Sequence, residues 1–109
     1  MFLFGGSNSA IENKNLYTLD FKQYKWEIFN TRGDVPFSRD EHSAVIYESS
    51  MVIFGGFVKG ERVNEVYKYY FKENRWEKVR PIGSKQPAPR AGHSCILSDE
   101  KMIIFGGKD

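Results

Sequence analysis

The sequence predicts an all-β protein assembled from repeated four-stranded antiparallel units, and three observations predict it. An apolar run closed by a glycine pair occurs three times, as Met1-Phe-Leu-Phe-Gly-Gly6, Met51-Val-Ile-Phe-Gly-Gly56 and Met102-Ile-Ile-Phe-Gly-Gly107. The copies recur after 50 residues (Gly5 to Gly55) and 51 residues (Gly55 to Gly106), a spacing that marks a structural repeat. Between them lie short runs of Val, Ile, Tyr, Phe and Trp broken by turn-forming residues, with no helical period of useful length.

Each unit reads as four short strands, a to d. Ser43 to Tyr47 is strand a, Met51 to Phe54 strand b, Glu65 to Phe71 strand c, and Arg75 to Val79 strand d. Strand b is apolar at every position, so it is expected to be covered on both faces. Strand c is aromatic on one parity, with Tyr17, Leu19 and Phe21 in one copy and Tyr67, Tyr69 and Phe71 in the next. The glycine pair ends strand b where the chain must turn out of a crowded sheet. Tyr and Trp supply area between units, with an O–H or N–H left to reach a loop carbonyl.

The connections alternate in length. The a–b and c–d turns are short, whereas the b–c loops (Ser7 to Lys14, Phe57 to Asn64) and d–a loops (Asn30 to Glu41, Arg80 to Gly92) are long. In an up-and-down sheet, one rim is therefore trimmed and the other elaborated. Counting from the glycines also fixes Tyr17 and Tyr67, Trp26 and Trp76, Arg39 and Arg90, and His42 and His93 at equivalent places. Four antiparallel strands per unit suit blades stacked face to face around an axis, a β-propeller.

Composition narrows the function. The net charge is +2, with 16 Lys and Arg interspersed among 14 Asp and Glu, which lacks the clustered basic footprint of a nucleic-acid binder. No apolar run approaches the length of a membrane span. One cysteine, Cys95, excludes an internal disulfide, and with no signal-peptide pattern this favours a cytoplasmic, reducing setting.

With these residues in place the chain resembles the kelch-repeat family. The shared pattern is Arg39, His42, Gly55, Gly56, Asn64, Tyr67 and Trp76, with partial copies at Gly5, Gly6, Tyr17, Asp20 and Trp26 and at Arg90, His93, Gly106 and Gly107. Tyr70 stands where Asp20 stands in the first copy, and Lys14 where Asn64 stands in the second. The resemblance implies a kelch-type β-propeller fragment over residues 1–109. Strands b, c and d of a first blade fall at 1–29, one complete blade at 42–79, and strands a and b of a third at 93–107. Kelch propellers usually close with about six or seven blades, so the remaining blades are expected from a longer chain or from self-association.

The resemblance also implies a protein–protein interaction module, as in ubiquitin-ligase substrate adaptors, cytoskeletal cross-linkers or small-GTPase pathways. No cofactor, metal, nucleic acid or membrane is expected. Residues that differ between units on the long loops are the expected partner contacts: Arg32, Asp34, Phe37, Asp40, Lys59, Glu61 and Arg62. Arg39 and Arg90 recur, and either tie down loop carbonyls or offer a guanidinium fork to an acidic partner. His42 and His93 recur at the start of strand a and read as structural, since one His per blade lacks the ligand clustering of a metal site. Cys95 reads as a buried, inert thiol. Ser43 and Ser94 follow histidines without a convergent acid, which argues against a hydrolase. The alternatives are part of a propeller enzyme (a metal-dependent oxidase or a specifier-type protein) with its site on other blades, or purely structural blades.

Overall fold

The computed structural model of the chain describes residues 1–7 and 15–109. Most of the predicted first b–c loop, residues 8–14, lies outside the described residues. The described part is built of strands in four sheets. Strands β1 (Phe2–Phe4), β2 (Leu16–Asp20) and β3 (Lys25–Phe29) form the first. The central sheet has the order β4 (Arg32–Gly33), β10 (Arg75–Val79), β9 (Val66–Tyr70), β6 (Ser50–Phe54), β5 (Ser43–Tyr47). A hairpin pairs β7 (Phe57–Val58) with β8 (Glu61–Arg62), and another pairs β11 (Ser94–Ser98) with β12 (Lys101–Phe105). Among the described residues no helix is long and apolar enough to cross a membrane.

The complete unit is β5, β6, β9 and β10, antiparallel neighbours in chain order, as strands a to d. Strand c is one residue shorter at each end than expected. Its flanks still bond, Gly55 N to Glu65 O at 3.0 Å and Phe71 N to Ser49 O at 3.2 Å. The short turns repeat as well: Tyr24 and Asn74, and Glu48 and Asp99, hold the same left-handed conformation (φ between 51° and 54°). β6 is covered as predicted, with Ser50, Met51, Ile53 and Phe54 buried and Val52 half-buried.

Register assigns each sheet two faces. In the first, Phe2 opposes Thr18 and Phe4 opposes Leu16, so Phe2, Phe4 and Leu16 share a face. In the central sheet, Met51 opposes Tyr69, Ile53 opposes Tyr67, and Tyr69 opposes Trp76. These two faces meet, and their residues form the core: Phe4, Leu16, Met51, Ile53, Tyr67, Tyr69 and Trp76. The Phe4 ring lies 5.0 Å from Trp76, and Tyr69 lies 5.1 Å from Trp76. Burying each such side chain contributes roughly 1.5–3 kcal/mol.

Two elements were not predicted. β4, inside the first d–a loop, adds to the outer strand of the next blade in parallel, pairing Arg32 with Arg75 and Gly33 with Trp76. The β7–β8 hairpin stiffens the second b–c loop. Two side-chain expectations also change. Trp76 Nε1 is buried with no hydrogen-bond partner among the described residues, and Tyr69 donates its hydroxyl to Asn74 Oδ1 at 2.7 Å, a side chain and not a backbone carbonyl. Packing area, not the polar tip, keeps Trp76 in the core. Cys95 is only partly buried, because β11 and β12 are covered over part of their surface.

Candidate binding rim

The rim is built from backbone. The β7–β8 hairpin turns at Lys59-Gly60 and is held between two d–a loops. On one side Phe57 N donates to Asp40 O at 2.8 Å and Asp40 N donates to Phe57 O at 3.2 Å. On the other, Gly56 N donates to Arg90 O at 2.9 Å and Arg90 N to Val63 O at 3.1 Å. Asn64 Nδ2 reaches Pro87 O at 3.0 Å. Among the described residues, the second b–c loop and parts of the two d–a loops meet there and are bonded to one another.

Beneath the rim the recurring residues act in series. Arg39 donates from Nε to Phe37 O at 3.2 Å and from Nη1 to Gly55 O at 3.3 Å. Arg90, 51 residues on, donates from Nε to Ala88 O at 3.1 Å and from Nη1 to Gly106 O at 3.0 Å. Each arginine fastens its own loop to the glycine pair of strand b. Arg39 Nη2 also meets Glu65 Oε1 at 3.2 Å, and the other carboxylate oxygen of Glu65 meets Lys78 Nζ at 3.1 Å. The Arg39 side chain is 0% exposed. Arg39 therefore leaves the set of expected partner contacts, because every face of its guanidinium is enclosed by protein.

The histidines wedge between glycines. A methyl at Gly5 would lie 2.7 Å from the His42 ring, and one at Gly56 would lie 3.0 Å from His42 Cβ. Gly55 and Gly107 stand in the same way to His93, each at 2.8 Å. Burial holds both imidazoles below their ordinary value, with the Arg39 charge adding to this at His42 and the Arg90 charge at His93. Burial likewise raises the Cys95 thiol. His93 Nε2 lies 2.7 Å from Ser43 Oγ of the preceding blade. This pairing joins a serine and a histidine 50 residues apart, not the sequence neighbours. Among the described residues no carboxylate bonds its buried Nδ1, so no acid orients the ring as a base. The pair braces two blades. Among the described residues no group of three or more His, Cys, Asp or Glu is placed to hold a metal.

The expected partner contacts divide by position. Phe37, Asp40, Lys59, Glu61 and Arg62 come together on and beside the hairpin. Lys59 Nζ stands 4.3 Å above the Phe37 ring, and the Arg62 guanidinium 4.6 Å above Phe57. Phe37 is 49% exposed. Arg90 lies on the flanking loop. Arg32 and Asp34 lie elsewhere, on the outer edge of the central sheet. Arg32 donates to Glu73 O at 3.1 Å, and Asp34 Oδ2 accepts from Lys78 N at 3.1 Å. Their loop runs beside the outer strand before it reaches the rim. Phe57 was missed, although its place is occupied by Ser7 and Lys108 in the other units, a difference between repeats that marks it.

Comparison with known proteins agrees with this architecture. Residues 1–109 match the KLHDC2/KLHL20/DRC7 Kelch-repeats domain family. The leucine-zipper-like transcriptional regulator 1 homolog of Drosophila melanogaster is 34% identical over 100% of this chain and 12% of its own length. Human host cell factor 2 is 33% identical over 98% of this chain and 14% of its own. The Rho GTPase-activating protein gacHH of Dictyostelium discoideum is 32% identical over 99% of this chain and 8% of its own. The solved structure of YjhT superposes with a TM-score of 0.73 at 28% identity, covering 86% of this chain and 28% of that one. The chain thus spans a small part of each relative. By its repeats, its blade topology and these matches, the chain belongs to the kelch-repeat family of β-propeller proteins.

Proposed function

We propose that this chain is a non-catalytic protein-binding part of a kelch propeller and that its partner meets the rim formed by the b–c and d–a loops. The observation that carries the reading is the β7–β8 hairpin. Its base is bonded to a d–a loop on each side, by Phe57 to one and by the flanking Gly56 and Val63 to the other, and it sets Lys59 over the exposed Phe37 ring of the first d–a loop and Arg62 over Phe57. Binding residues on loops fixed by a rigid scaffold are the common arrangement. Aromatic and arginine side chains are those most used at interface centres. A regulator and a GTPase-activating protein among the relatives fit a role in recognition. The single cysteine fits a reducing, intracellular setting. The proposed contacts are Phe37, Asp40, Lys59, Glu61, Arg62 and Arg90, with Phe57 added.

The test is quantitative affinity capture with the complete protein, comparing wild type with Phe37→Ala/Lys59→Ala/Arg62→Ala. The reading expects the captured proteins to fall at least tenfold with the thermal midpoint nearly unchanged, a loss of about 1.4 kcal/mol or more in binding. Undiminished capture by a folded triple variant would move the site off this rim.

A further inference from the structure

We propose that residues 32–35 are an edge guard: they occupy the outer edge of the complete blade and keep the same edge of a second copy from adding there. The fourth strand of that blade is β10. An uncovered end strand offers a row of backbone donors and acceptors on which another strand can build. Here that row is taken. Arg32 N donates to Asn74 O at 3.1 Å, and Asp34 N donates to Trp76 O at 3.0 Å. β4 is only two residues long, and side chains carry the closure past each end of it. Arg32 Nε donates to Glu73 O at 3.1 Å. Asp34 Oδ2 accepts from Lys78 N at 3.1 Å, in the role that the carbonyl of an added strand would fill.

The segment is fitted to this edge. Asn74 Nδ2 donates to Asn30 O at 3.0 Å, which fixes the start of the loop. A methyl at Gly33 would strike Trp76 O, so the close approach of the two backbones requires glycine there. The guard also closes its own outer side, since Val35 N donates to Gly33 O at 2.9 Å. A very short strand flanked by charged side chains is a poor template for further pairing. Residues 32–35 are all exposed, so apolar burial does not hold them in place. The bonds to β10 do, and they satisfy backbone groups of that strand in return. With the guard displaced, β10 of two copies can pair edge to edge, an isologous contact that uses the same surface on both. The guard lies away from the rim and does not rest on the reading proposed for it.

Sedimentation velocity and amide exchange of the complete protein test the guard with two variants. Gly33→Ala pushes β4 off Trp76 O. Asp34→Pro removes both bonds that Asp34 makes to β10, one from its N–H and one to its carboxylate. At low micromolar concentration the Lys78 amide is expected to exchange about tenfold faster in either variant than in wild type. As the concentration rises to hundreds of micromolar, either variant is expected to dimerise more strongly than wild type. The Lys78 amide is then expected to become protected again, because the paired edges cover it. Thermal melting checks that each variant folds, and Asp34→Pro, at an exposed loop position, carries the test alone should Gly33→Ala unfold. A folded variant that associates no more than wild type overturns the proposal. So does association that leaves the Lys78 amide exchanging fast, because the contact then lies away from this edge.

Discussion

A methyl group at Gly55 would sit 2.8 Å from the Arg90 carbonyl oxygen and 2.8 Å from the His93 ring, on a residue whose φ is +71°. At Gly60, φ is +82° but nothing stands within 4 Å. Gly60→Ala is therefore expected to cost only the conformational strain, about 1–2 kcal/mol. Gly55→Ala is expected to cost about 2 kcal/mol more, since backbone and imidazole must both shift. Urea unfolding of the two variants measures the difference. The histidines make a separate prediction. Both have folded-state values below the ordinary 6.5, so below about pH 6.5 the unfolded chain takes up protons that the folded chain resists. Stability is full above that pH and falls as the pH drops toward the folded-state values. The urea midpoint is expected to fall between about pH 7 and pH 5, and to fall less in His42→Gln and His93→Gln. A midpoint that rises on acidification would contradict this. Recurrence in the sequence marked these residues as structural. It left the role of Arg39 open, because the carboxylate it meets, Glu65, lies 26 residues away.

At the scale of elements, the strands with an apolar period were legible and the strands without one were not. β6, β9 and β10 bury side chains and β5 half-buries every second one, and their composition records it. β4 and β8 are two residues long and carry Arg-Gly and Glu-Arg, so nothing in their composition distinguishes them from loop. They form because neighbouring backbone is already in place to receive them. For β4, Arg32 N donates to Asn74 O at 3.1 Å and Asp34 N to Trp76 O at 3.0 Å. A methyl at Gly33 would lie 2.3 Å from Trp76 O. Gly33→Ala is expected to unseat β4 and leave the rest of the sheet paired. Amide exchange of Arg32 and Asp34 should accelerate at least tenfold, while that of Tyr69, inside strand c, changes little. Equal acceleration at both places would show that β4 is part of one cooperative unit with the blade. Removing Phe4, by contrast, strikes the contact between two sheets. Phe4→Ala is expected to cost about 3–5 kcal/mol, read from the same urea titration.

Across the whole molecule, the repeat read from three glycine pairs named the family and located the rim, because blade building uses the same residues at each turn. The residues proposed as partner contacts were only partly legible. Sequence differences between units collected Phe37, Lys59 and Arg62, which meet at the hairpin. They also collected Arg32 and Asp34, which lie on the outer edge of the central sheet. Variation shows where a residue is not needed for the blade; only the course of the loop shows which surface it reaches. The central claim is that the rim carries the partner and the trimmed end does not. Photo-cross-linking from the complete protein tests it most directly, with a benzoylphenylalanine in place of Phe37 on the rim or Tyr24 on a c–d turn, where the native ring is 75% exposed. The account predicts partner adducts from position 37 and none from position 24. Adducts from position 24 with none from position 37 would contradict it.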